Sequence, residues 1–177
     1  PDIAASASEI QIQRGVGTST NGAGAFGATV NIDLSQVEPE PFAQISTALG
    51  SFNTQKYSAF AGTGLLNGRF AFSGRISQLR SDGYIDRARS NLNSIHLTGT
   101  YIDDNQSVQM HLLSGHELTY QAWNGVPAQY IGVDSLRTYN TAGTEQPSVP
   151  YPDEVDDYTQ RHLLLHTNDV SMPAAAR

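Results

Sequence analysis

Gly22, Gly24 and Gly27 stand at the G-x-G-x-x-G spacing with which backbone amides cradle a dinucleotide pyrophosphate. That chemistry needs a strand before the glycines and a helix opening on them, because the helix N-terminus supplies the amides and the dipole. Downstream, however, Val30, Ile32 and Leu34 alternate with Thr29, Asn31 and Asp33. Upstream, Ile10 and Ile12 alternate with Glu9, Gln11 and Gln13. Both are strand periods. The spacing predicts strand, glycine-rich loop, strand, with no P-loop lysine and no nucleotide.

Other reactive types are scattered in the same way. Asp153, Glu154, Asp156 and Asp157 in "YPDEVDDY" could bind Ca²⁺ but lack the Asp-x-Asp-x-Asp-Gly loop spacing, so a solvated acidic loop is the simpler reading. Ser114, His116 and Glu117 are too close along one strand end to make a triad. His96 and His111 fall on the polar faces of paired strands as diagonal neighbours, about 7–8 Å apart by sheet geometry. That is wide for joint ligation without side-chain reach. His162 and His166 in "RHLLLH", at i and i+4, would line one face of a strand, or of a helix if that tail folds differently. Polar lining is favoured over metal binding for these histidines, and no catalytic residue, cofactor or metal centre is expected. The aromatic set Tyr120, Trp123, Tyr130, Arg137 and Tyr139 lies in the longest connection, where rings stack on ligands and phenol or guanidinium groups hydrogen-bond them. The same rings equally suit an interfacial aromatic girdle with ordinary loop packing.

The elements that must position these groups are strands. From Phe42 onward, greasy and polar residues alternate with almost no helical period. Phe70, Phe72, Gly74 and Ile76 oppose Arg69, Ala71, Ser73, Arg75 and Ser77; Ile95, Leu97, Gly99 and Tyr101 oppose His96, Thr98 and Thr100; Val108, Met110 and Leu112 oppose Gln109 and His111. A two-residue hairpin at Asn67-Gly68 would set Leu65 against Phe70 and Thr63 against Phe72, with Tyr57 and Ala59 on that face. Asp104-Asn105, read likewise, sets Tyr101 against Val108, Gly99 against Met110 and Leu97 against Leu112. Tight turns at one end face longer connections at the other: Gly50 to Thr54, Arg80 to Asn93, and about Gly115 to Tyr158. Such sidedness is the habit of an outer-membrane barrel, although a soluble β-sandwich also alternates greasy and polar residues.

Bulk properties agree with either. The 177 residues, 38% hydrophobic, suffice for one domain with a core, and a net charge of -7 without a Lys/Arg cluster argues against nucleic acid. The chain has no cysteine, hence no disulfide framework and no thiolate metal site; a cysteine-free chain suits an oxidising envelope compartment. No run of about 18 apolar residues occurs, which excludes a spanning helix but not spanning strands. Pro1 to Ser8 reads as neither the basic start nor the apolar run of a signal peptide, so the chain is expected to be mature or truncated.

"EIQIQRGVGTSTNGAGAFGATVNIDL", Glu9 to Leu34, resembles the closing segment of the plug domain of TonB-dependent outer-membrane receptors. It carries the Arg-Gly at Arg14 and Gly15, the small-residue loop and a Gly-Ala-Thr-Val-Asn-Ile ending. "GSFNT" (Gly50 to Thr54), "GLLNG" (Gly64 to Gly68), "SDGYIDR" (Ser81 to Arg87) and "YPDEVDDY" (Tyr151 to Tyr158) look like the first barrel strands and loops of that family. The resemblance implies an all-β fold: antiparallel up-and-down strands of a partial transmembrane β-barrel (37–177), preceded by the C-terminal part of a plug domain (1–36). It implies that Gly15, Gly17, Gly22, Gly24 and Gly27 serve close backbone approach and unusual dihedrals in a crowded lumen, and that Glu9 and Arg14 seat the plug against the barrel. An exposed flexible linker is the bland alternative.

By the same resemblance, the intact receptor takes up a scarce ligand, such as a ferric siderophore, haem, cobalamin or a glycan, across the outer membrane, captured by extracellular loops. Its partners are outer-membrane lipid, a small-molecule or metal-chelate ligand, and TonB, which supplies the energy. No TonB-box-like segment is seen, most of a plug is missing, about six strands fall short of the eight or so needed for closure, and "TNDVSMPAAAR" at Thr167 to Arg177 abandons the alternation. An excerpt of a larger receptor is expected. A soluble β-sandwich carbohydrate-binding or adhesin module is the alternative, and a passive porin-like barrel a third. The first two differ in whether Phe70, Phe72, Ile95, Leu97, Val108 and Met110 face lipid or a shared interior.

Overall fold

The computed structural model describes residues 6–16, 22, 24, 26–34, 36–142 and 153–169. Gly17, residues 143–152 with the start of "YPDEVDDY", and the end of the tail (170–177) lie outside them. The fold is all-β. β1 (Glu9–Arg14) and β2 (Ala28–Asp33) form a two-stranded antiparallel sheet, with Ile10 facing Ile32 and Ile12 facing Val30. Strand, loop, strand therefore replaces the strand-to-helix turn of a nucleotide site, as the alternation requires. Gly15 and Gly22 take positive φ (85° and 80°), a region open to glycine without steric cost. The close-approach half of the glycine expectation fails: a Cβ at Gly15, Gly22, Gly24 or Gly27 would meet nothing within 4 Å. Nothing among the described residues packs on these four positions.

Six further strands make one antiparallel meander in chain order: β3 (Phe42–Gly50), β4 (Thr54–Leu66), β5 (Phe70–Ser81), β6 (Ser90–Ile102), β7 (Gln106–Tyr120) and β8 (Val155–Asp169). β3 and β8 are its edges, so the sheet is open. Short turns join β4 to β5 and β6 to β7 at one end, while the β5–β6 connection (82–89) and the described stretch 121–142 of the β7–β8 connection, with the four-residue α1 (Ala128–Ile131), stand at the other.

The two tight turns behave differently. Tyr101 faces Val108, Gly99 faces Met110 and Leu97 faces Leu112, the register that a two-residue Asp104-Asn105 turn demands. Asp103 locks it, its Oδ1 accepting the Asn105 and Gln106 backbone N–H groups, each at 2.9 Å. At Asn67-Gly68 both residues take positive φ (50° and 68°), yet the ladder resumes with Leu66 against Phe70 and Leu65 against Ala71. The expected Leu65–Phe70 pairing is thus displaced by one residue. A β-bulge restores the faces: Thr63 and Gly64 together oppose Phe72, so Ala59 still meets Ile76. Gly64 makes the bulge possible, with φ at 66°, and a Cβ there would lie 2.5 Å from the Glu40 carbonyl carbon. The Leu65 N–H donates to the Pro39 carbonyl at 3.0 Å, tying residues 39–41 to the bulge.

Rungs across the sheet show how completely the pleat sorts the chain. Ser46, Ser58, Ser77, Ser94, Gly115 and Gln160 stand side by side from β3 to β8, with hydroxyl pairs at 2.9 Å (Ser46–Ser58) and 2.7 Å (Ser77–Ser94). One residue away, on the other face, run Ile45, Ala59, Ile76, Ile95, Ser114 and Arg161. The next rung of that face is Ala43, Ala61, Gly74, Leu97, Leu112 and Leu163.

Burial inverts the water-soluble pattern. Arg75, Thr100, Gln109 and His111 are buried, whereas Ile45, Phe70, Phe72, Ile76, Leu97, Met110, Leu112, Leu163 and Leu165 are exposed. Among the described residues the buried hydrophobics are Ala71, Leu113 and Tyr120 alone. The polar face is covered in part by its own chain: Gln36, Val37 and Glu38 cross it beside Phe42, Phe60, Ala71 and Thr100, and Ser6 Oγ accepts from Arg75 Nη1 at 3.2 Å. No described residue forms a second layer over the apolar face. A sandwich would bury that face.

Candidate functional site

The long-loop end carries the expected aromatic set and a clasp that spacing could not announce. Tyr120, the last residue of β7, is buried, with the Arg87 guanidinium 5.6 Å from its ring centre. Arg87 adopts a positive φ of 62° and donates through Nη2 to the carbonyls of Asn140 (3.1 Å) and Ala142 (2.8 Å). Asn140 is 1% exposed. Its Nδ2 donates to the Asp86 carbonyl at 2.9 Å and the Gln121 carbonyl at 3.0 Å, and its Oδ1 accepts the Ala142 N–H at 3.0 Å. One amide side chain thus joins the β5–β6 connection to the β7–β8 connection. The Asp86 N–H, donating to the Thr138 carbonyl at 2.8 Å, adds a second tie.

Of the predicted ligand set, Tyr130 and Tyr139 come together, edge to face at 5.6 Å. Trp123 stands apart and 74% exposed. Arg137 is also exposed and pairs with Asp134 on its own turn. Tyr120 lies beneath the clasp rather than beside the other rings. Glu9 and Arg14, the expected plug contacts, are exposed on β1, while Ser6 of the leader meets Arg75 of the sheet.

Strand alternation disperses the other candidates. Ser114 and His116 point to the apolar side of β7, and Glu117 to the opposite one. His116 Nε2 meets Asp157 Oδ1 at 2.8 Å, while Asp156 faces the other way. Among the described residues no three His, Cys, Asp or Glu side chains are disposed around a metal position.

The polar face holds a tighter group. His96 and His111 are diagonal neighbours, as their register requires, but their rings lean together until His96 Nε2 and His111 Nδ1 are 3.3 Å apart. Thr98 Oγ1 lies 3.1 Å from each nitrogen. His162 lines the adjoining cleft, of about 150 Å³, with Ser6, Arg75, Leu113 and Gln160. The sequence marked the histidines' face; the convergence of their rings required the side-chain rotamers.

At the short-turn end, Tyr101 donates its hydroxyl to Asp103 Oδ2 at 3.0 Å, and its ring lies 5.1 Å from that of Phe70. The Asn105 backbone N–H, followed by that of Gln106 and by the Tyr101 and Gln106 side chains, holds the Asp103 carboxyl below the usual carboxylate range against the opposing pull of desolvation. A comparison with known proteins brings no match, whether to a family model, a curated protein or a solved structure.

Proposed function

We propose that this chain forms the closing plug segment and first wall strands of a TonB-dependent outer-membrane receptor for active uptake of a scarce ligand, such as a metal chelate, haem, cobalamin or a glycan. The observation that carries the reading is the inverted sheet: its apolar face is bare, while on its central strands the polar residues Arg75, Thr100, Gln109 and His111 are buried. Fully burying one Leu, Ile or Phe contributes about 1.5–3 kcal/mol. Half-exposing the whole outward row in water would forfeit a sum comparable to the roughly 5–15 kcal/mol net stability of a domain. Acyl chains remove that penalty.

Dimensions fit this solvent. Strands of 12 to 15 residues, β4 to β8, exceed the roughly 9–11 needed to cross a bilayer at a tilt. The surplus lies toward the long loops, where the outward rungs turn polar: Gln78, Asn93, His116 and Thr159 are side by side. Phe70 and Tyr101, whose rings meet at the short-turn end while the Tyr101 hydroxyl reaches the turn at Asp103, would then form part of an interfacial girdle. The long loops would then be extracellular, with Trp123, Tyr130, Arg137 and Tyr139 as ligand contacts and Tyr120 beneath them. Ser6 on Arg75 supports a leader lying against the lumenal face. The energy for uptake comes from the periplasmic partner, so neither catalysis nor a nucleotide is required.

These 177 residues contain no cysteine, so a cysteine introduced into them competes with no thiol of this segment, and the cysteine-free or wild-type full-length protein serves as the labelling control. In the full-length protein, Trp123→Cys should react with an impermeant maleimide on intact cells, and Asn105→Cys only after the outer membrane is opened. Recovery of the full-length protein in the soluble fraction, or labelling of both positions alike, would refute the assignment.

A further inference from the structure

The polar face also contains a three-cornered donor set that the receptor reading leaves unused. His96 Nε2, His111 Nδ1 and Thr98 Oγ1 are separated by 3.3, 3.1 and 3.1 Å, a nearly equilateral triangle of two imidazole nitrogens and a hydroxyl. Imidazole nitrogens bind Zn²⁺ at about 2.0–2.1 Å, and a tetrahedron with arms of that length has edges of about 3.3–3.4 Å. The edge lengths therefore suit one face of a tetrahedral metal site, and a metal there would replace the hydrogen bonds that these three atoms now make with one another. His111 is 5% exposed and set by β7, and His96 and Thr98 alternate along β6, so all three side chains are carried by paired central strands rather than by loops.

We infer that His96, His111 and Thr98 form a binding site for one borderline divalent transition-metal ion, with Zn²⁺, Ni²⁺ or Cu²⁺ as the class, and with the fourth position open. Two imidazoles select such ions over Ca²⁺ and Mg²⁺, which require several oxygen ligands. The cleft lined by Arg75, His96, Gln160 and His162 provides the approach to the open position. Arg75 stands opposite His96 in the register, and its charge opposes a cation. With only two nitrogen ligands as well, the affinity is modest, micromolar or weaker, and suits a site that exchanges metal rather than one that stores it. The site belongs to the strands of the sheet and shares no residue with the proposed ligand contacts in the long loops.

The test is Zn²⁺ titration of the full-length protein in detergent, followed by competition with Co²⁺, whose visible bands report tetrahedral geometry. One saturable site per chain is expected. It should weaken at least tenfold in His96→Ala and in His111→Ala, and persist in His116→Ala, which removes the histidine of the opposite face. Absence of saturable binding in the wild type, or an equal loss in His116→Ala, overturns the inference. Should the alanine variants fail to assemble, substoichiometric Ni²⁺ added to the wild type decides. Broadening of the His96 and His111 ring signals ahead of the other histidines supports the site, and earlier broadening of His116 or His166 overturns it.

Discussion

The two faces of the six-stranded sheet are built from the same strands, one residue out of step, and obey opposite rules. On one, Ser46, Ser58, Ser77 and Ser94 join hydroxyls, and Arg75, Thr100, Gln109 and His111 are buried. On the other, Ile45, Phe72, Ile76, Met110, Leu163 and Leu165 are each at least half exposed. The polar face tolerates burial because its groups pair with one another and with the covering segments, whereas the bare apolar face is what the proposed lipid contact would cover. The ends of the strands differ as well. Local turn chemistry closes the short end, whereas the long one is fastened by side chains and amides that meet between loops, Asn140 and Arg87 foremost.

Breaking the contrast between faces should have the largest effect. Phe72→Arg should impair outer-membrane assembly of the full-length protein by roughly 2–4 kcal/mol if the residue lies near the midplane. Gln78→Arg, on the same face but among the polar outward rungs, should fall near zero. Heat-modifiable migration and urea unfolding in micelles measure both, and equal effects would remove the depth dependence on which lipid contact rests. Next comes Asn140→Ala, which strands two carbonyls and an N–H and should cost the loop end roughly 2–3 kcal/mol. The loss should appear as faster amide exchange in 82–89 and 121–142 while β5 and β6 stay protected.

Gly64→Ala should cost about 1–3 kcal/mol, because it combines a positive φ with a Cβ driven into residues 39–41. The readout is loss of protection at the Leu65 amide, which donates to Pro39. The smallest effect is a pH response. The Asp103 carboxyl titrates below its ordinary value, so its contribution to the turn is complete above the unfolded pKa of about 4 and is lost as pH falls through the lower folded one. Exchange at the Asn105 and Gln106 amides should accelerate only in that acid range. Asp103→Ala should show the faster exchange at every pH.

Much of the architecture was legible beforehand. The alternation of Phe70, Phe72 and Ile76 with Ala71, Ser73 and Arg75 placed β5, and Asp104-Asn105 set a register that holds along β6 and β7. The β4–β5 register was not legible. Leu65 and Leu66 are both apolar, so a one-residue displacement leaves no mark on the pattern, and the bulge at Thr63 and Gly64 depends on the approach of residues 39–41, distant in the chain. The candidate sites divide likewise. The polar faces of His96 and His111 followed from pleat parity, but their 3.3 Å contact depends on ring rotation. Asn140, one asparagine in a long loop, had no spacing to reveal it, and neither did its partner Arg87.

By itself, then, the sequence determined the strands, which side chains share a face, and the sidedness of turns and loops, because a strand's period of two and a turn's residue chemistry are local properties of the backbone. Tertiary structure alone decided which face is covered, where the ladder slips, and which polar groups meet across 15 to 55 residues of chain. Those outcomes depend on contacts between segments whose separation no local pattern encodes.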